Sequence, residues 1–332
     1  MTDLAPKLCG CELSGVPSRK TALSYRPRYV LAFCHLNADL TVSTQKPFEH
    51  AALIAKPDAS EQLRDTLTRA LRFLGERKVR VSLELRTAQL LNRGDGRPLS
   101  ELGQDCDFAI VVGGDGTLLH SARELVDAEV PLLGINLGRL GFLVDISPEH
   151  MCDMLGAILD GEYELGERML LRCDIDDQPP QLALNDVVLH KWNIARMIEY
   201  ETWVNDDFVD AQRSDGLIVS TPTGSTAYAL SGGGPLLSPE LDAIALVPIC
   251  PHTLSNRPIV VHGRSLIRVR VSGKTEPEHV RLTCDGQAIL PVVPGEDIRI
   301  RRHDKALRLL HPAGHDHFRI LRTKLGWGES RS

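Results

Sequence analysis

The sequence predicts an α/β N-terminal domain with a Rossmann-like parallel sheet, followed by a β-rich, β-sandwich-like C-terminal domain. Three observations predict this arrangement. Between 48 and 143, short apolar runs rich in β-branched residues alternate with segments of helical period, which is the pattern of a parallel sheet covered on both faces. Beyond a helix-like bridge at 148–160, the pattern changes to short β-rich segments separated by turn residues. The length, 332 residues, suggests two domains and is ample for two cores.

The expected elements run in order. Residues 1–46 carry prolines and polar residues with no sustained period, apart from a strand-like patch at Tyr29–Phe33, and read as an N-terminal extension. The α/β domain is expected over 47–145. Ala51–Ala55 is its first strand. Asp58 has the spacing of a capping box with Glu61, and Leu63, Leu67, Ala70, Leu71 and Leu74 share one helical face that ends near Gly75. Val79–Leu85 reads as a second strand and 92–104 as a loop. Phe108–Val112 is an unbroken apolar run, expected to be a strand buried on both faces. Its helix is expected from Leu118 to Val126, and Val130–Ile135 is a further buried strand. The β-rich domain is expected over 146–305, with strands near 168–175, 182–190, 196–204, 216–220, 243–249, 266–272, 279–284 and 297–302. In Leu266–Val271 apolar and basic residues alternate, as they do when a strand has one buried face. The one helical break is Gly224–Leu230. The last segment, 306–332, is apolar enough around Phe318–Trp327 to dock back on the first domain.

Composition narrows the function classes. A net charge of −6 gives no general affinity for nucleic acid or anionic membranes, and no apolar stretch is long enough to span a bilayer. The eight cysteines are scattered, several within apolar runs, so buried free thiols in a reducing, cytoplasmic compartment are expected. Cys9 and Cys11 form a CxC with no second pair, and no HExxH is present, so no metal site is expected from the protein alone.

The chemistry concentrates in two stretches. Asp107-Phe-Ala-Ile-Val-Val-Gly-Gly-Asp-Gly-Thr-Leu-Leu-His120 places a glycine-rich turn between a strand and a helix, where backbone N–H groups and the helix dipole hold phosphate. It is neither a Walker loop nor a GxGxxG turn. It also sets a carboxylate, Asp115, where an anion would sit; this suits a base or a metal-linked charge at the reacting group. The plain alternative is a strand-ending turn with a capping Asp. In parallel sheets ligands bind beyond the carboxyl ends of strands, and both this turn and Asn136–Leu143 sit at such ends. The second stretch, Arg213–Gly234, packs hydroxyl-bearing residues and a bare Gly224–Ser225 turn into a surface fit for phosphate, sugar and base contacts. The alternative is a Ser/Thr-rich loop. Asn185-Asp186 can read a donor–acceptor edge or a ribose diol, or can be an edge-strand turn. Asp285-Gly-Gln287 alone is a turn, Arg196 and Arg213 can equally be solvated or paired surface charges, and His120 reads as a packed or capping residue.

Together these blocks make the chain resemble the NAD kinase family. The matching pieces are Gly113-Gly-Asp-Gly-Thr117, Gly134–Leu143, Leu184-Asn-Asp-Val-Val188, Arg213-Ser-Asp-Gly216 through Thr221–Tyr228 and Gly232–Pro235, and Asp285-Gly-Gln287. They occur in the family's order, from about Phe48 to Trp327, and the Thr221–Tyr228 block separates the match from the lipid and sugar-phosphate kinases that share GGDGT. The resemblance implies ATP-dependent phosphorylation of NAD at the 2′-hydroxyl of its adenosine ribose, giving NADP, with Mg²⁺ or another divalent cation carried on ATP. It implies Asp115 as general base or orienting charge. It implies Gly116 and Thr117 along the phosphate path, and Asn185 and Asp186 against the adenosine. Thr226, Ala227, Tyr228, Ala229, Leu230 and Ser231 would line the NAD pocket, with Arg196, Arg213, Asp215 and Gln287 as further contacts. It also implies a homo-oligomer, dimer or tetramer, whose neighbouring subunits complete the site. Two departures stand out: Asp186 replaces the family's usual Glu, and Ala55 stands where the first strand often ends in Gly. A GGDG-type kinase of lipids or small alcohols and a dinucleotide-binding sensor without turnover are the competing readings.

Overall fold

The computed structural model describes residues 48–327 except 139, 140, 145, 177, 194 and 254. The expected N-terminal extension, with its patch at Tyr29–Phe33, lies outside the described residues.

The first half builds a parallel sheet. β1 (His50–Ala55) leads through α1 (Glu61–Glu76) to β2 (Arg80–Leu83), and α2 (Leu85–Leu90) and α3 (Leu99–Asp105) lead to β3 (Phe108–Gly113). Then follow α4 (Asp115–Leu125), β4 (Leu132–Asn136), α5 (Met151–Leu159) and β5 (Tyr163–Arg168). β1 pairs in parallel with β2 and β3, and β3 with β4. β3 is buried at every position, as its continuous apolar run requires, because helices cover both faces. One face packs Leu53, Phe108 and Ile110 on Leu63, Leu67 and Leu74 of α1. The other packs Ala109 and Val111 on Leu118, Ala122 and Leu125 of α4. Each such fully buried Leu or Phe contributes roughly 1.5–3 kcal/mol.

Several boundaries differ from the sequence expectation. Asp58 pairs with Lys56 at 2.8 Å, and Ser60 occupies the α1 N-cap, so no capping box forms. The strand expected to Leu85 stops at Leu83, since Glu84 accepts the Thr87 N–H at 2.9 Å and starts α2. The expected 92–104 loop contains the start of α3 behind Pro98. α4 begins at Asp115, three residues early, because extended Gly114 acts as its N-cap and the chain coils at once.

The second half is two six-stranded antiparallel sheets. Its strands are β6 (Leu171–Ile175), β7 (Gln181–Ala183), β8 (Asp186–Lys191), β9 (Ile198–Val204), β10 (Asp207–Ser214) and β11 (Gly216–Ser220). After the short helix α6 (Tyr228–Ser231) come β12 (Ala243–Ile249), β13 (Ile259–His262), β14 (Ile267–Val271), β15 (Val280–Cys284), β16 (Ala288–Pro291) and β17 (Asp297–Arg302). One sheet has the order β10-β9-β14-β17-β6-β7 and the other β13-β12-β11-β8-β15-β16. Their facing sides share one core that includes Cys173, Tyr200, Leu217, Ile267, Leu282 and Ile298. In β14, Ile267, Val269 and Val271 point inward while Arg268 and Arg270 stay half-exposed, as the alternation predicts. The run expected as one strand over 182–190 breaks at Leu184-Asn185, and 168–175 breaks after Arg168.

The chain then returns. β18 (Leu307–Pro312) enters the parallel sheet between β4 and β5, parallel to the first and antiparallel to the second, and α7 (His317–Leu325) follows. Among the described residues no helix is long and apolar enough to cross a membrane.

Candidate active site

Because β1, β3 and β4 are parallel, their carboxyl ends gather on one edge: Lys56 N–H donates to Val112 O at 2.9 Å, and Leu137 N–H to Gly113 O at 3.1 Å. Asp115 stands there in the first turn of α4, where the helix dipole favours negative charge and the leading N–H groups lack helical acceptors. Its carboxylate does not cap its own helix. Oδ2 accepts the Phe142 N–H at 2.9 Å and Oδ1 the Leu143 N–H at 3.2 Å, so the turn after β4 fixes its direction. Gly141 makes this possible: a Cβ there would lie 2.0 Å from Asp115 Oδ1.

A second group of residues gathers at one end of the β8–β11 ladder. Asp186 opens β8 and pairs with Ser220, the last residue of β11, so the junction before β8 and the turn after β11 adjoin. Thr221 N–H donates to Asn185 O at 2.9 Å and Thr221 Oγ1 to Leu184 O at 2.6 Å. Gly224 lies so near that a Cβ would sit 2.1 Å from Asn185 O. Beside this junction is an open hollow of about 400 Å³ lined by Asn185, Asp186, His190, Ala227, Tyr228 and Asp285, among others. Burial pushes the Asp186 carboxyl up to about 7, and the neighbouring Asp285 charge adds to the effect. Burial lowers the His190 ring in the same hollow.

The two groups are joined by the turn after β15. Asp285 and Gly286 both take positive φ, 52° and 64°, which turns the chain back toward β8. The fully buried Asp285 carboxylate accepts the N–H groups of Leu184 (3.1 Å), Asn185 (2.7 Å) and Asp186 (3.3 Å). Arg123, on α4, donates one guanidinium N–H to Asp285 and another to Gln287 Oε1, both at 2.7 Å. Gln287 Nε2 in turn donates to Gly116 O at 2.8 Å, one residue from Asp115.

Of the residues the sequence singles out, Asn185, Asp186, Ala227 and Tyr228 meet in the hollow, and Gln287 joins it to Gly116 and the start of α4, which holds Asp115 and Thr117. Thr226 turns its hydroxyl to Thr223 O at 3.1 Å. Ala229 is buried against Val188, Ile218 and Val247 as part of an outer core, while Leu230 is half-buried and Ser231 exposed. Three residues lie elsewhere. Asp215 sits at the opposite end of β11, about 17 Å along a five-residue strand, and pairs with Lys191 at 2.8 Å. Arg213 pairs with Glu199 at 3.2 Å, and with Arg196 it lines a separate hollow of about 280 Å³.

In the sequence alone Arg123 has no assigned role, Asp285 is a turn residue within a family motif, and Gly141 is one position of another motif. An arginine two turns along the helix from Asp115 was the signal available for the first. Among the described residues the one cluster with metal-ligand spacing is Glu276, Glu278 and His279, next to the Arg196 hollow rather than at Asp115.

Residues 51–163 match the ATP-NAD kinase N-terminal domain and residues 184–311 the ATP-NAD kinase C-terminal domain. The chain belongs to the NAD kinase family. It is 48% identical over 291 residues to the NAD kinase of Chromohalobacter salexigens, covering 85% of this chain and 98% of that protein. It is likewise 48% identical over 288 residues to the NAD kinase of Pseudomonas putida, with 85% and 96% covered. Among solved structures it is similar to yeast NADH kinase complexed with NADH (TM-score 0.78, 25% identity, 87% of this chain and 90% of that one). It is also similar to an Archaeoglobus fulgidus NAD kinase in complex with ATP (TM-score 0.69, 30% identity, 83% and 98%). Both NAD kinase domains thus account for the two groups of residues described above.

Proposed function

We propose that the chain phosphorylates NAD at the expense of ATP, moving the γ-phosphoryl group to the 2′-hydroxyl of the adenosine ribose to give NADP. The observation that carries this reading is the link from Asp115, through Gly116 and Gln287, to the Asn185–Asp186 junction. It brings a fixed carboxylate and a nucleoside-sized hollow into one frame. The solved relatives with ATP and with NADH support the two ligands.

On this reading the β-rich half holds the adenosine, with Asn185 and Asp186 facing the ribose and Tyr228 against the base. The parallel-sheet half holds the triphosphate along the Gly114–Thr117 backbone, where bare N–H groups and the helix dipole offset phosphate charge. Asp115 accepts the 2′-hydroxyl proton as that oxygen bonds to phosphorus and the bond to ADP breaks. A positioned base contributes about 10²–10⁴-fold. Most of the remaining acceleration comes from in-line alignment and charge neutralisation. Mg²⁺ belongs to the substrate as MgATP: among the described residues the one cluster with metal-ligand spacing is Glu276, Glu278 and His279, which does not include Asp115.

Arg213 and Asp215 lie at the end of β11 opposite Thr221, and Arg196 shares a separate hollow with Arg213. We assign all three to a site completed by a second copy of the chain in a homo-oligomer. The buried free thiols Cys106, Cys173 and Cys284 support a reducing compartment, the cytoplasm.

The test is NADP formation by the purified chain from NAD, ATP and Mg²⁺, followed by a NADP-specific dehydrogenase. Stoichiometric NADP and ADP support the reading. Saturable NAD binding with no NADP would favour a sensor, and ADP release dependent on a lipid alcohol would favour the lipid-kinase reading.

A further inference from the structure

We propose that Arg123 is a positioning residue for the phosphoryl transfer, bridging α4 to the Asp285–Gln287 turn and so fixing Asp115 relative to the Asn185–Asp186 junction. The proposal rests on the NAD phosphorylation reading and goes beyond it, because Arg123 touches neither the hollow nor the Asp115 carboxylate.

The geometry suits a brace. Arg123 is the second-half contact of the same helix that begins with Asp115. Its guanidinium divides between two acceptors, Asp285 Oδ2 and Gln287 Oε1, each at 2.7 Å. A planar fork can do this without strain, whereas a lysine ammonium on one flexible stem serves one acceptor well. Both acceptors pass the constraint onward. Asp285 holds three consecutive backbone N–H groups at the adenosine junction, and Gln287 holds the Gly116 carbonyl beside Asp115. The Gln287 amide has one orientation compatible with both partners: oxygen toward the arginine, nitrogen toward the carbonyl. Asp285 has a side chain with no exposure and Arg123 one that is 12% exposed, so this pair is shielded from the screening that weakens surface pairs. Helix, turn and junction are therefore held as one closed loop of contacts between the two halves of the site.

In-line phosphoryl transfer depends on the separation of nucleophile, base and phosphorus, and a misplacement of about 1 Å can cost about 10²-fold. A broken brace would leave both ligands able to bind and the reacting atoms poorly aligned. The expected signature is a loss in kcat with little change in KM.

The experiment compares wild type with Arg123→Leu, Arg123→Lys and Gln287→Leu, using steady-state NADP formation and amide hydrogen exchange of the NAD-free protein. Arg123→Leu and Gln287→Leu should each lower kcat about 10- to 100-fold with KM for NAD within about threefold of wild type. Arg123→Lys should recover part of the loss, since it keeps the Asp285 partner. Exchange at Leu184, Asn185 and Asp186 should speed up in Arg123→Leu. Gln287 is exposed and carries no buried charge, so its variant folds even where Arg123→Leu does not, and it then decides the question. A folded Gln287→Leu enzyme with wild-type kcat overturns the proposal, as does a loss confined to KM, which would make Gln287 a direct NAD contact. A wild-type chain that makes no NADP would overturn the functional reading instead. In that case unchanged exchange in Arg123→Leu would overturn the brace as well.

Discussion

Gly141→Ala puts a single methyl group against the central carboxylate. The new Cβ would lie 2.0 Å from Asp115 Oδ1, 2.8 Å from Cγ and 3.0 Å from Oδ2. Real contacts of this kind do not close below 3.0 Å, so the carboxylate and the turn must part by at least about 1 Å. The Phe142 and Leu143 N–H bonds, at 2.9 and 3.2 Å, cannot both survive that movement. A misplaced base at this scale costs about 10²-fold in kcat, or about 2.7 kcal/mol of barrier. On the proposed assignment NAD binds through the Asn185–Asp186 half of the site, so its KM should stay within about threefold. The assay is steady-state NADP formation, with thermal unfolding run alongside to verify a folded variant. A folded Gly141→Ala enzyme within twofold of wild-type kcat would refute the view that this turn aims the carboxylate.

Two further perturbations test the adenosine half. Burial and the Asp285 charge hold the Asp186 carboxyl near 7 against an ordinary value of 3.8. A folded-state value raised in this way favours the protonated form, so the stability it contributes is full below about pH 4 and is lost as pH rises through 7. Asp186→Asn stays neutral, and in urea unfolding it should gain about 2–4 kcal/mol over wild type between pH 4 and pH 8; a difference flat in pH would contradict this. Gly224→Ala drives a Cβ to 2.1 Å from Asn185 O, a backbone atom that cannot step aside alone. It should lower the melting temperature by several degrees and raise KM for NAD more than about tenfold, both read on the purified variant.

Much of the fold was legible because hydrophobic period is a local property. The uninterrupted Phe108–Val112 run announced a strand buried on both faces, and the Leu266–Val271 alternation announced one with a single buried face. The missed helices were short and set by backbone capping. Glu84 and Pro98 start α2 and α3 inside stretches whose composition reads as strand end and loop. Asp115 was legible as a candidate because a carboxylate after two glycines is unusual in a phosphate turn. Its partners were not, because the Phe142 and Leu143 N–H groups are backbone atoms that any residue would supply. Arg123 and Asp285 stand 162 residues apart, and only tertiary structure brings the guanidinium to the buried carboxylate. The separation of Arg213 and Asp215 from Thr226–Tyr228 follows from strand length: β11 runs between them, and residues close in sequence end at opposite ends of a ladder.

The central claim is that Asp115 acts on the 2′-hydroxyl in the transfer step and does little for binding. The most direct measurement is Asp115→Asn, with kcat from NADP formation and NAD affinity from calorimetry on the same preparation. The account predicts a kcat lower by about 10²–10⁴-fold with the NAD dissociation constant within about threefold of wild type. Near-normal turnover, or a loss that appears in NAD binding instead, would contradict it.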